Sequence, residues 1–168
     1  QYAGPCLTPS QKGAVSKKAK RAAEIEAEGR TKEAVDLLGE ITDEFPFVRN
    51  AWAGRIGFLL EDEKNEEAIS LLPEAINSII PYEDRSEFIA MAMKLNFNAG
   101  AREKAFRFAL DFLEEIRAAE TKLRVSGNVV SPISQPAVVL QLSGLEIKIS
   151  KAHYIIGTYL DDKGDFPS

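Results

Sequence analysis

Apolar side chains recur every three or four residues over most of the chain, the spacing that lines one face of an α-helix. Ala34, Leu37, Leu38 and Ile41 follow one another in this way, with polar residues between them. The pattern predicts an all-α fold. The predicted helices cover about 9–27, 31–44, 48–61, 65–79, 84–98, 101–119 and 136–162.

Two of the helix starts carry local signals. Thr8-Pro9-Ser10-Gln11 is typical of an N-cap followed by a proline in the first helical turn. Asp84 is the expected N-cap of the fifth helix. Residues 1–10 are expected to form an N-terminal tail, because Gly4-Pro5 interrupts regular structure.

Part of the second helix is repeated in the fourth. Residues 33–41 (EAVDLLGEI) and 67–75 (EAISLLPEA) share Glu-Ala, a β-branched residue, Leu-Leu and a Glu at the same offsets. Ala34 precedes Ala68 by 34 residues, which is the period of the tetratricopeptide repeat. A third copy places Ala105 37 residues after Ala68, and half of a fourth copy begins near Ala152.

The chain therefore resembles the tetratricopeptide-repeat family over about 16–117 and 150–166. The matching positions are the early aromatic Trp52, the turn residues Gly29, Gly100 and Gly164, the close-packing Ala34, Ala68 and Ala105, the closing Pro46 and Pro81, and Gly157 of a Leu-Gly-like pair. In the second repeat Glu63 replaces the turn glycine. The resemblance implies a right-handed superhelical array of antiparallel helix pairs, and the apolar pattern at 136–162 adds a long C-terminal helix.

The turn and alanine positions also have a physical reason of their own. Glycine reaches positive φ without strain, and this conformation is expected at Gly29, Gly100 and Gly164. A small alanine lets two helices joined by a short turn approach closely. Because one helix pair cannot bury its own apolar face, three or more pairs are expected to stack.

The predicted organisation is a single domain of such repeats. The units are a tail at 1–10, repeats at about 11–46, 47–81 and 84–119, a loop at 120–135, and a long terminal helix or half repeat at 136–168. The loop is predicted from Gly127, Asn128, Pro132 and Pro136. Loops of this length in a compact domain are often functional.

The terminal helix is predicted from a heptad-like seam. Its members are Val138, Leu142, Leu145, Ile149, Ala152, Ile156 and Tyr159, spaced alternately by four and three residues. The alternative is a strand at 145–149, where apolar and charged residues alternate. The seam persists for longer than the alternation and favours a helix.

Composition narrows the classes of function. The 168 residues carry a net charge of −5, which disfavours a nucleic-acid partner. Cys6 is the only cysteine, so neither an intramolecular disulfide nor a Cys-based zinc site is expected. No apolar run predicts a membrane span. The start at Gln1 rather than Met is compatible with a mature exported chain or an internal fragment, and localisation stays open.

No pattern of catalytic residues emerges. His153, the only histidine, falls where a fourth repeat would place its large early residue, and it is expected to pack rather than to catalyse. The adjacent carboxylates of 61–63 would point to different faces of a helix, unlike a paired acid and base. We expect no enzyme, no cofactor and no metal.

In the tetratricopeptide family the first helix of each pair lines a concave groove, so the resemblance implies a peptide-binding surface. The groove positions with binding character are Asn50, Leu60, Lys94, Phe97, Asn98 and Tyr154. Heat-shock chaperone C-termini are not expected as ligands, because Ala19 and Ala23 stand where the carboxylate clamp needs Lys and Asn. Alternatively, Leu60 and Phe97 merely contact the terminal helix.

The predicted function is a non-catalytic adaptor or scaffold that binds a protein or peptide partner, whose identity stays open. The alternative is a structural module that self-associates into a homo-oligomer or packs against another domain of a larger protein. An open groove distinguishes the first function from the second.

Overall fold

The fold consists entirely of helices in the part of the chain that can be described. The computed structural model describes residues 6–79, 82–125 and 136–164, and the side chains of 6–79, 85–118 and 145–164. Those ranges contain seven α-helices and no strand, which confirms the all-α prediction. The helices are α1 (Pro9–Ala27), α2 (Thr31–Glu44), α3 (Arg49–Glu61), α4 (Asn65–Ser78), α5 (Tyr82–Asn98), α6 (Arg102–Val125) and α7 (Pro136–Lys163).

Helix α1 begins where its capping signals predict. The Thr8 hydroxyl accepts a hydrogen bond from the Gln11 backbone N–H at 3.3 Å. The Gln11 side chain in turn accepts one from the Thr8 N–H at 2.8 Å. This reciprocal capping box satisfies two backbone donors at the helix end. Pro9 is already helical, so the helix begins inside the predicted tail.

Two predicted helix boundaries are wrong. Helix α5 begins at Tyr82, so Asp84 lies within the first turn instead of capping it. Helix α6 continues to Val125, so the loop predicted at 120–135 is helical over its first six residues. Residues 118–125 include alanine, leucine, lysine and arginine, all good helix formers, and lack glycine and proline. The rest of the predicted loop, 126–135, lies outside the described residues.

The chain divides into two compact units, Gln1–Arg85 and Ser86–Ser168. In the first unit, neighbouring helices pack in chain order, α1 on α2, α2 on α3 and α3 on α4. Helices α2 and α3 thus each pack against two neighbouring helices, which bury their apolar faces. The buried cluster around α2 consists of Ala22, Ile25, Ala34, Leu38, Ile41 and Ala51.

Helix α3 fits closely against α2. A Cβ atom on Gly54 would lie 2.7 Å from Cδ1 of Leu38, so glycine permits this approach. Trp52 is 1% exposed, and its indole N–H donates to the carbonyl of Pro46 at 2.8 Å. The Arg55 guanidinium lies 5.2 Å from the Trp52 ring centroid and donates to the Thr42 hydroxyl at 2.6 Å. The early aromatic of the second repeat is therefore a core residue.

Three turns between helices share one backbone pattern. The residue after each helix cap has positive φ: 76° at Gly29, 59° at Glu63 and 75° at Gly100. Its N–H donates to the carbonyl three residues earlier, and the next N–H donates to the carbonyl five residues earlier, at 2.8–3.2 Å. This pair of hydrogen bonds defines the Schellman motif. Gly164 has φ of 70° and makes the first of the two bonds. The predicted positive φ is confirmed at all three glycines, and Glu63 adopts it as well.

Each of the three turns leads to the same arrangement in the following helix. Five residues after the left-handed position stand Ala34, Ala68 and Ala105, all 0% exposed. Nine residues after the left-handed position, the buried residues are Leu38, Leu72 and Ala109. Twelve residues after it, they are Ile41, Ala75 and Phe112. The repeat detected in the sequence is therefore also a repeat of backbone conformation and burial.

In the second unit α6 packs on α7. The buried side chains of α5 are Phe88, Ile89, Ala90, Ala92, Met93 and Asn96. Helix α7 contributes Ala152 and Ile155, and the predicted helix over the seam is confirmed, against the strand at 145–149.

The predicted burial along α7 is partly wrong. Ile155 is 1% exposed although it is not a seam member, whereas Leu145, Ile149, Ile156 and Tyr159 are only half-buried. The side chains of Val138 and Leu142 lie outside the described residues. A straight helix advances about 100° per residue, so residues three apart lie on the same side. The buried Ala152 and Ile155 therefore mark the side of α7 that faces the other helices.

His153 does not take the packed place expected for it. It is exposed, whereas Trp52 and Ile89, eleven residues before their own left-handed turn residues, are buried. His153 lies on one side of Ala152 around the helix and Ile155 lies on the other, so burial of Ile155 turns His153 to the surface.

Candidate ligand-binding face of the second unit

Two contacts place α7 beside the end of α5 and the start of α6. The Phe97 and Tyr154 rings meet edge to face with centroids 6.0 Å apart. Arg102, the first residue of α6, donates to the Asp162 carboxylate at 2.6 Å. The turn from α5 to α6 has the conformation of the turns that join the packed pairs α1–α2 and α3–α4. Since α6 is antiparallel to α7, as described below, α5 and α7 run in the same general direction. Tyr154 is thereby placed beside the last turns of α5.

Helix α7 is held to α6 by a different tyrosine. Phe106 and Tyr159 stack with centroids 4.4 Å apart and an interplanar angle of 21°. Together with the Arg102–Asp162 pair, this contact shows that α6 and α7 are antiparallel, since residue numbers rise in one as they fall in the other. The Tyr159 side of α7 therefore faces α6, while Tyr154 lies on another side and remains 63% exposed.

The six predicted groove residues are distributed over both units. Asn50 is exposed and Leu60 half-buried, both on α3 of the first unit. On α5 of the second unit, Lys94 and Asn98 are exposed and Phe97 is half-buried. Of the six, Phe97 and Tyr154 are brought into ring contact. Phe97 thus touches the terminal helix, as the alternative interpretation proposed, but this contact leaves most of Tyr154 accessible.

An apolar residue that the sequence interpretation missed extends this face. Ile147 is 68% exposed and lies two helical turns before Tyr154 on α7. Positions 147, 151 and 154 are spaced by four and three residues, so they share one side of the helix. The same spacing is present in the sequence, but the longer seam of 145, 149, 152 and 156, on nearly the opposite side of the helix, determined the prediction. We call Lys94, Phe97, Ile147, Lys151 and Tyr154 the α5–α7 face.

Positive charge accompanies the exposed apolar groups. Among the side chains that the structure describes, Lys94, Lys148 and Lys151 form no ion pair. Arg102, by contrast, pairs with Asp162 and places its guanidinium 5.9 Å from the Phe97 ring centroid. The lysines on this side can therefore offer their charge to a ligand, while Arg102 serves to hold the helices together.

The first unit has a separate surface cavity of about 470 Å³ between its two turns. Its lining is Gly29, Arg30, Thr31, Lys32, Glu33, Asp36, Asp62 and Lys64. Hydrogen bonds to Glu33 and then Glu28 raise the pKa of Arg30, and a hydrogen bond to Asp62 raises that of Lys64. Arg30 and Lys64 are thus paired with neighbouring carboxylates, whereas Lys32 in the same lining forms no ion pair with a described side chain.

The described residues contain no group of three or more His, Cys, Asp or Glu side chains arranged to hold a metal ion. Within the same ranges, no helix combines the length and apolar character needed to cross a membrane. Cys6 is exposed and carries a free thiol.

Comparison of the chain with protein-family models, curated proteins and solved structures found no match. The α5–α7 face therefore has to be interpreted from its own residues.

Proposed function

We propose that the chain is a non-catalytic protein- or peptide-binding module built from tetratricopeptide-type helix pairs. The observation that carries the proposal is the α5–α7 face, where Ile147 and Tyr154 are exposed on one side of a helix that buries Ala152 and Ile155 on another. A partner that covers these two side chains removes apolar surface from water, which contributes about 25 cal/mol per Å².

The repeat geometry supports the proposed architecture. Turns at Gly29, Glu63 and Gly100 have one conformation, and each leads to a fully buried alanine five residues later. Helix pairs of this kind stack side by side, and the parallel direction of α5 and α7 is the one that the first helices of successive pairs adopt in such a stack. In this arrangement Phe97 and Tyr154 belong to the surface that lines the groove.

The aromatic composition favours binding over a purely structural role. Tyrosine carries a large apolar ring and a polar hydroxyl at low conformational entropy cost, which makes it common at interfaces. Tyr154 makes only an edge contact with Phe97 and is otherwise open, so its ring is available to a partner. A residue needed only for packing of α7 would be covered as Ile155 is.

The test is selection of binders from a displayed random peptide library, followed by fluorescence anisotropy of the selected peptides. Tyr154→Ala and Phe97→Ala should each weaken binding by about tenfold, the loss typical of a central aromatic contact. Leu110→Ala on α6 removes an exposed apolar residue that lies outside the α5–α7 face and should change the affinity less than about twofold.

A library that yields no specific binder, or binders unaffected by both aromatic substitutions, would contradict the proposal. The structural or self-association alternative stays a prediction, and the mass of the same sample in solution tests it. A concentration-dependent dimer that the peptides do not dissociate would favour that alternative.

A further inference from the structure

We infer that the water-facing side of α1 adsorbs to a membrane surface rich in anionic phospholipid, with Lys12, Lys17 and Lys20 against the headgroups. We call these three residues the α1 lysine face. The inference is independent of the proposed function, since α1 belongs to the first unit and the α5–α7 face to the second. It combines three observations: a segment that carries only positive charge, lysines without ion pairs on one side of a helix, and an order of charges that does not serve helix stability.

The first two thirds of α1 are strongly basic in an acidic chain. Residues 9–21 contain five lysines and arginines and no aspartate or glutamate, whereas the whole chain has a net charge of −5. Two of the five cations are engaged, Lys18 with Glu40 of α2 at 2.9 Å and Arg21 with Glu24 at 3.2 Å. The three residues of the α1 lysine face are exposed and form no ion pair with a described side chain. Their charge is therefore available to a ligand.

The helix geometry turns these lysines away from the core. Ala22 and Ile25 are buried on the side of α1 that packs on α2. At about 100° per residue, Lys17 and Lys20 lie on nearly the opposite side, and Lys12 lies at its margin. The eight residues from Lys12 to Lys20 rise about 12 Å along the axis. The three ammonium groups can therefore meet one flat surface together.

The order of charges along α1 is the reverse of what a helix prefers. Carboxylates near the N-terminus and cations near the C-terminus complement the helix dipole. Helices α2, α4 and α6 follow this rule with Glu33, with Glu66 and Glu67, and with Glu103 in their first turns. Helix α1 has no acid in its first turn and no base in its last. Local helix stability therefore does not account for the lysines, whereas binding of an anionic surface does.

The neighbours of the lysines favour adsorption at the surface over insertion into the bilayer. Gly13, Ser16 and Ala23 are the small, exposed residues beside them. The large apolar side chains that are exposed among the described residues lie on α6 and α7 and not on α1. A helix that inserts needs large apolar groups on its membrane side. Binding through α1 therefore depends on charge and should be reversed by salt.

An anionic membrane accepts this face although the chain is acidic overall. Each lysine near such a surface contributes about a fivefold gain in binding, and clusters of about four to eight basic residues on a helix are typical of proteins that adsorb there. Exposed charges act over about 8 Å at physiological ionic strength, so acidic residues farther from the surface are largely screened.

Nucleic acid fits the α1 lysine face less well. Single strands are bound by aromatic side chains on which bases stack, and residues 9–27 contain no aromatic residue. A duplex presents charge along its whole length, and a row of about 12 Å meets only a few phosphates. A planar array of headgroups places a negative charge opposite every lysine of the face.

The experiment measures co-sedimentation of the unaltered chain with phospholipid vesicles. One set is pure phosphatidylcholine and the other contains about one third phosphatidylserine. We expect the chain to sediment with the anionic vesicles at about 0.1 M salt, to be released at about 0.5 M, and to stay in solution with the neutral vesicles.

Neutralisation of two lysines then locates the surface. Lys17→Gln with Lys20→Gln should weaken binding to the anionic vesicles by about twenty-fivefold, because each lysine contributes about fivefold. The control Lys32→Gln with Lys104→Gln changes the net charge equally at exposed positions of α2 and α6 and should stay within about twofold. Glutamine is a good helix former, and circular dichroism verifies the fold of both variants.

Several results would overturn the inference. These are equal sedimentation with neutral and anionic vesicles, binding that survives high salt, and equal losses in the two double variants. A single-stranded oligonucleotide that binds through Lys17 and Lys20 while anionic vesicles do not would reassign the face to nucleic acid. Self-association that the same double variant abolishes, without vesicle binding, would reassign it to a second copy of the chain.

Discussion

The turn between α1 and α2 and the turn between α3 and α4 have one backbone geometry but different residues at the critical position. Gly29 has φ of 76° and Glu63 has φ of 59°, and each turn makes both hydrogen bonds of the Schellman motif. Left-handed backbone costs a residue with a Cβ about 1–2 kcal/mol, whereas glycine reaches it freely. The turn at Glu63 therefore has a conformational free-energy cost that the turn at Gly29 does not have.

The shared geometry of the two turns indicates that the packing of each helix pair determines the backbone conformation of its turn. Ala34 and Ala68 lie five residues beyond Gly29 and Glu63, and both are fully buried where the helices approach. Because the two helices pack closely and only a few residues join them, the backbone of the turn is restricted to one conformation. Burial of the alanine faces offsets the strain at Glu63, because a different turn would separate the helices and expose them.

The largest effect should come from the alanines. Ala34→Leu and Ala68→Leu each insert a branched side chain into a fully buried contact and should lower the free energy of unfolding by about 3 kcal/mol. Urea denaturation measures the change. Ala23→Leu on the exposed side of α1 is the control and should stay within about 0.5 kcal/mol. If Ala68→Leu were as mild as the control, the second helix pair would not share the close packing of the first.

A smaller effect is expected at the turn glycine. Gly29→Ala finds open space for its Cβ, so the whole cost is conformational and should be about 1 kcal/mol. Gly13→Ala is the matched control, because its Cβ is also unobstructed but its backbone is helical. It should raise stability by about 0.5–1 kcal/mol. Equal signs for the two substitutions in thermal denaturation would refute a strained turn.

The smallest effect, with the opposite sign, is expected at the second turn. Glu63→Gly relieves the left-handed strain but adds freedom to the unfolded chain, so a net gain of about 0.5 kcal/mol is expected. Glu63→Ala removes the carboxylate and keeps the Cβ, and it should leave stability nearly unchanged. If Glu63→Ala stabilised the chain as much as Glu63→Gly, charge rather than backbone strain would distinguish the two turns.

The turns were predictable because local chemistry determines them. A period of 34 residues with alanine and glycine at set offsets located Gly29, Gly100 and the homologous position of Glu63. The predicted helix boundaries are wrong where local sequence signals compete. Asp84 has the chemistry of an N-cap, yet α5 begins at Tyr82, and good helix formers carry α6 on to Val125.

The candidate site was predicted less completely. The phasing of the repeat placed Phe97 and Tyr154 on one surface, and the structure brings their rings into contact. Ile147 was missed because its spacing to 151 and 154 competes with a longer seam two residues earlier, on nearly the opposite side of α7. How far the seam itself turns inward depends on the rotation of α7 against its neighbours, whereas hydrophobicity alone assigns the whole seam to the core.

The sequence by itself determined the helices, the three turns and the alanines at which paired helices meet, because each depends on residues close together along the chain. Only the tertiary structure decided that Ile155 is buried while Ile147, His153 and Tyr154 are exposed. The rotation of a helix about its axis is a collective outcome of contacts from distant segments, here Phe106 with Tyr159 and Arg102 with Asp162. The α5–α7 face follows from that rotation.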